Sequence, residues 1–115
     1  MEYQPHTIRL IEDLLESLAE LRQSTRATEA TVRRGLKLVM SGADVATALR
    51  AVSPADTRQS INDALKAVEE ARHQMRLHIF EIGMQEGLSI GELGRIFGFS
   101  RQLAARYAKE AREAD

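Results

Sequence analysis

Between positions 95 and 109 the chain carries Arg95, Arg101, Arg106 and Lys109 and no acidic residue. A local excess of four cations is what a nucleic-acid phosphate backbone attracts. The same stretch contains side chains suited to base edges. Arginine pairs with guanine O6 and N7, the Gln102 amide matches adenine, and the small Ala105 can rest on a thymine methyl. The rest of the chain is balanced the other way. Residues 1–86 hold 11 basic and 13 acidic side chains, and the formal net charge of the whole is −1. That total argues against a blanket nucleic-acid coat and for attraction concentrated at one surface.

Such side chains need a rigid platform, and the residues around them spell one. Ser89 caps a short helix and Glu92, three residues on, completes a capping box. Leu93, Ile96 and Phe97 give that helix its apolar face, and Gly94 is small where a second helix must cross closely. Gly98 supplies the positive φ of a tight turn. Phe99 tucks back into the core and Ser100 caps the second helix. On that helix Leu103, Ala104, Tyr107, Ala108 and Ala111 share one side, while Arg101, Gln102, Ala105, Arg106 and Lys109 share the other. Two short helices joined by a tight turn are a unit that enters the DNA major groove.

Residues 89–109 resemble the helix-turn-helix of bacterial and phage DNA-binding proteins, including repressors of the lac type and region four of sigma factors. The matching residues are Gly94, Gly98, Phe99, Ser100 and the Arg101-Gln102 pair. Ala104 stands where a larger branched residue is usual, and Phe99 is bulkier than the common valine. The resemblance implies base contacts from Arg101, Gln102, Ala105 and Arg106. Arg95, Ser100 and Lys109, toward the edges of the basic surface, are expected to meet phosphates.

Other chemistries find less support. Glu70 and His73 have the spacing that di-iron bundles use, but that motif is needed twice. Here it occurs once, and Met75 stands at the matching position before His78, so a solvated surface pair is expected. His73 and His78, five apart, point to different sides of a helix, and no metal site is expected. No nucleophile elbow or phosphate loop is present, so neither an enzyme nor a cofactor is expected. With no cysteine, disulfides and thiolate sites are excluded. No long apolar run or leader-like start appears, which reads as a soluble, cytoplasmic, nucleoid-associated protein with no membrane partner.

A length of 115 residues suits one compact domain, or a small domain with a helical extension. With 43% hydrophobic residues, 4% aromatic ones and no tryptophan, the core is expected to consist of Leu, Ile, Val and Ala. Met40, Met75 and Met84 read as core filler. From His6 onward Ile8, Ile11, Leu15 and Leu18 mark an amphipathic helix that ends near Ser24-Thr25 or runs on through Val32, Leu36 and Val39 to Ser41-Gly42. A two-turn helix follows within 43–52. Ser53 and Pro54 then open a long helix whose Ile61, Leu65, Val68, Met75, Ile79 and Ile82 repeat at four-three spacing until Gly87. That pattern suits a dimerisation seam or a helix inside an antiparallel bundle.

The expected fold is all-α: a helical dimerisation region, 1–86, as a long-helix bundle or coiled-coil-like unit, followed by a helix-turn-helix, 87–115. Two functions remain open. One is a homodimeric transcriptional regulator that reads double-stranded DNA. The other is a protein-interaction module that uses the same surface on a partner such as RNA polymerase or a toxin.

Overall fold

The computed structural model describes residues 4–113, and among them the chain is all-helical with no strand. The helices are α1 (Gln4–Met40), α2 (Val45–Val52), α3 (Pro54–Gln85), α4 (Ile90–Phe97) and α5 (Arg101–Glu113). Helix α1 passes straight through Ser24-Thr25. The Thr25 hydroxyl donates back to the Leu21 and Arg22 carbonyls, so it needs no break in the helix. No helix among the described residues is long and apolar enough to cross a membrane.

The helix ends follow backbone hydrogen-bond logic. At the end of α1, Ala43 N–H reaches the Leu38 carbonyl and Gly42 N–H reaches Val39, at 3.0 and 3.1 Å. The same double bond pattern closes α3 at Gly87 and α4 at Gly98, satisfying carbonyls that the helix leaves open. Asp44 caps α2 by accepting the Thr47 N–H at 2.8 Å. Ser53 departs from the expected capping role. It is left-handed (φ 51°) and closes α2, and its hydroxyl donates to the Asp56 carboxylate at 2.9 Å.

Packing divides the chain into two compact units, Met1–Leu14 with Glu70–Asp115, and Leu15–Glu69. The 86/87 division read from the sequence is one of pattern. Packing instead assigns the second half of α3 to the same unit as α4 and α5. In that unit the buried cluster is Phe80, Leu93, Ala104, Tyr107, Ala108 and Ala111. Aromatic rings dominate it, contrary to the expected aliphatic core. Every Phe and Tyr among the described residues joins one stack, with Phe80 5.7 Å from Phe97 and 5.4 Å from Tyr107, and Phe99 5.1 Å from Tyr107. Four rings at 80, 97, 99 and 107 are invisible as a group to a composition of 4% aromatics. In the same unit Thr7 Oγ1 lies 2.7 Å from His78 Nε2, and the His6 ring stands edge-on to His78 at 4.7 Å.

The unit Leu15–Glu69 packs through small residues. A Cβ on buried Gly35 would stand 2.6 Å from Val52 Cγ2, and Ser24 and Ser60 hydroxyls meet at 2.9 Å. Its buried side chains are Ser17, Ala48 and Val68. Of the four-three seam on α3, Val68 is buried, Leu65 is 46% exposed, and Ile61, Met75, Ile79 and Ile82 are half-buried. Met84 packs against the aromatic core as expected, whereas Met40, at the end of α1, is 77% exposed rather than core filler.

Candidate nucleic-acid interface

Helix α4 starts from the capping box the sequence predicts. The Ser89 hydroxyl accepts the Glu92 N–H at 3.0 Å, and the Glu92 carboxylate accepts the Ser89 N–H at 3.2 Å. The helix buries Leu93 and Gly94 and half-buries Ile90 and Phe97. Ile96, expected on the same face, is 68% exposed. At about 100° per residue it falls roughly 110° from the centre of the face that Ile90, Leu93, Gly94 and Phe97 define.

Helices α4 and α5 meet where Gly94 faces Ala104; a Cβ on Gly94 would lie 3.0 Å from that of Ala104. Any larger residue here pushes the two helices apart. Gly98 follows with φ 73°, a conformation that costs an L-residue roughly 1–2 kcal/mol. Ser100 then accepts the Leu103 N–H on its hydroxyl at 3.1 Å and so caps α5. Each local rule agrees with the next, which fixes the orientation of α5.

That orientation separates its two sides. Ala104, Tyr107, Ala108 and Ala111 are buried and Leu103 half-buried. Arg101, Gln102, Ala105, Arg106 and Lys109 are exposed, as are Arg95 and Ser100. The side chains expected to touch bases thus share the free face of one helix, and Arg95 stands on the preceding one. The Ser100 hydroxyl is engaged in the cap as an acceptor.

Two further groups bear on this surface, and sequence reading missed both. The Arg76 guanidinium of α3 lies 5.1 Å over the Phe99 ring, adding a cation next to the turn between α4 and α5. His73, expected as half of a solvated pair with Glu70, instead bridges α3 to α5. Its Nδ1 is 3.3 Å from the Tyr107 hydroxyl and its Nε2 3.2 Å from the Glu110 carboxylate, while Glu70 accepts from Gln74 at 3.2 Å. Tyr107 and Glu110 lie one turn apart on α5, so a single ring on α3 holds both. The contact also engages the acid next after Lys109 in the chain.

Among the described residues no group of three His, Asp or Glu side chains is arranged to hold a metal ion. The chain matches no protein-family model, no curated protein and no solved structure, so its surface chemistry alone carries the functional reading.

Proposed function

We propose that the protein is a sequence-specific DNA-binding regulator, acting as a homodimer, that inserts the N-terminal half of α5 into the major groove. The supporting observation is the exposed face of α5: Arg101, Gln102, Ala105 and Arg106 stand together on it, backed by a buried face that holds the helix rigid. Arg101 and Gln102 are the sequence readers, through guanine and adenine edges, with Ala105 and Arg106 one turn later. Arg95, Ser100 and Lys109 contact phosphates and set the register. Pairing two copies about 34 Å apart gives the two-half-site arrangement of dimeric readers. The resemblance to bacterial and phage helix-turn-helix proteins supports the same reading, and with it a cytoplasmic, nucleoid-associated location.

Selection of bound duplexes from a random pool tests this directly. The expected result is an enriched, two-fold symmetric sequence whose binding weakens steeply as salt rises. Arg101→Ala or Gln102→Ala should cost about 1–3 kcal/mol on the selected site and little on random duplex. Arg95→Ala and Lys109→Ala should weaken both and flatten the salt dependence. Equal losses for Gln102→Ala and Lys109→Ala on both duplexes would remove the readout.

One observation favours the protein-interaction alternative. Ile96 is an apolar side chain 68% exposed beside Arg95, and a protein partner would cover it. On that reading duplex binding is negligible at any salt, and Ile96→Ser abolishes capture of the partner.

A further inference from the structure

Helix α1 carries two seams of three-four spacing, offset from each other by one residue. The first runs through Ser17, Leu21, Ser24, Thr28, Thr31 and Gly35, all buried or half-buried. Its residues are mostly small or hydroxyl-bearing, and it is the seam used inside the chain. The second holds the large aliphatics and is left open: Leu15 is 60% exposed, Leu18 42%, Val32 55%, Leu36 57% and Val39 47%. Exposing the branched side chains while packing serine, threonine and glycine reverses the usual order of burial. A helix with two adjacent seams, about 100° apart around its axis, has a face for each of two neighbours.

The charges on the second seam choose the direction. Arg22 and Glu29 occupy its middle, both exposed. A parallel pair would set Arg22 against the partner's Arg22 and Glu29 against the partner's Glu29. An antiparallel pair brings Arg22 toward the partner's Glu29, and the aliphatics at each end of the seam toward those at the other end.

We infer that the Leu15–Val39 face of α1 docks a second copy of this chain in antiparallel orientation. The inference rests on the homodimeric part of the proposed function and is independent of DNA. The α3 seam is less available for this role, since Val68 is already buried within the chain.

The test uses the full chain, which has no cysteine of its own. The intact protein should sediment at twice the chain mass. Leu36→Glu should raise the dimer dissociation constant on the order of 100-fold, because a charge enters an apolar contact, with helicity by circular dichroism retained. Leu18→Cys and Val32→Cys chains should join through a short bifunctional thiol reagent when mixed, and neither should join to itself. A monomeric wild type, an undiminished Leu36→Glu dimer, or self-joining of either cysteine variant would overturn the inference. If Leu36→Glu fails to fold, the cysteine pair decides alone. A dimer that binds no duplex sinks the DNA reading and leaves this one standing. A monomer that selects a duplex overturns this inference and the homodimeric part of the proposed function, and leaves the DNA readout standing.

Discussion

The two units solve the same packing problem with different residues. In the unit that contains α4 and α5, Phe80 is 0% exposed, Leu93 1% and Ala108 0%, and four stacked rings fill the space between three helices. In the unit Leu15–Glu69 the buried side chains are Ser17, Ala48 and Val68, and none is below 6% exposed. The second unit is not poor in large aliphatics; it leaves them on its surface. Hydrophobic content is therefore no measure of core quality. What counts is whether the small residues of one helix admit the large residues of another, as buried Gly83 of α3 admits Leu93 of α4, whose Cδ2 would stand 2.9 Å from a Cβ there. Where small residues face each other, the large ones remain for another partner.

Emptying the two cores gives the largest expected effect. Phe80→Ala should cost about 3–5 kcal/mol, the loss of a fully buried ring plus its cavity. Val68→Ala, at the largest of the buried side chains in the other unit (8% exposed), should cost only about 1–2 kcal/mol. Thermal or urea melts of the two variants decide it. Comparable losses would mean that the second unit holds a core as tight as the first.

Legibility in the sequence divides along the same line. Local signals were read well because each acts through its own neighbours: Ser89 with Glu92, Gly98 at positive φ, Ser100 as a cap, Gly42 and Gly87 as stops. The exposed and buried sides of α5 also follow from period alone. What the sequence hid depends on partners distant along the chain. Phe80 stacks on Phe97 and Tyr107, Arg76 lies over Phe99, and His73 reaches Tyr107 and Glu110; no spacing rule joins those positions. Ile96 misled because three-four spacing admits two neighbouring faces on a helix of only two turns. Ser53 misled because one serine sits between two helices and serves the end of the first.

The turn between α4 and α5 gives the next largest effect. Gly98→Val should destabilise the α4–α5 unit by about 1–3 kcal/mol, since a β-branched residue resists the left-handed region. A Cβ there would meet nothing within 4 Å, so strain rather than collision is the cause. An unchanged melting temperature would show that the backbone there adopts another conformation.

A smaller effect compares two glycines, one in each unit. Gly94→Ala brings a Cβ to 3.0 Å from the Ala104 Cβ, an atom fixed to the α5 backbone. Gly35→Ala brings one to 2.6 Å from Val52 Cγ2, a methyl of a branched side chain that is stiff at χ1. Each change gains about 1 kcal/mol of helix propensity. Both should still be net destabilising, Gly94→Ala by about 1 kcal/mol and Gly35→Ala, with the closer approach, by about 1–2 kcal/mol. Melting curves that reverse this order would show that the Leu15–Glu69 unit yields to the added methyl more readily than the contact between α4 and α5.

The smallest effect uses pH to address one unit alone. All three histidines, His6, His73 and His78, belong to the unit that contains α4 and α5. Burial, and secondarily the His6 imidazole beside it, hold the His78 ring below the ordinary histidine value of 6.5. The folded protein therefore favours neutral His78, within hydrogen-bond distance of the Thr7 hydroxyl. A depressed folded value means that the unfolded chain takes up its proton first as pH falls. The stabilisation is thus complete above the unfolded value and is lost as pH drops from there through the lowered folded value. In the other unit the groups held down are carboxylates: Glu29 by Arg33, and Asp44 by the hydrogen bonds from Thr47. They give up their stabilisation only at lower pH, in the carboxylate range. Melting temperatures measured between about pH 8 and pH 5.5 should decline slightly, and His78→Gln should remove that decline. The His78 ring resonances should titrate below those of a model histidine. A His78→Gln chain with the full decline would exclude this ring as the source.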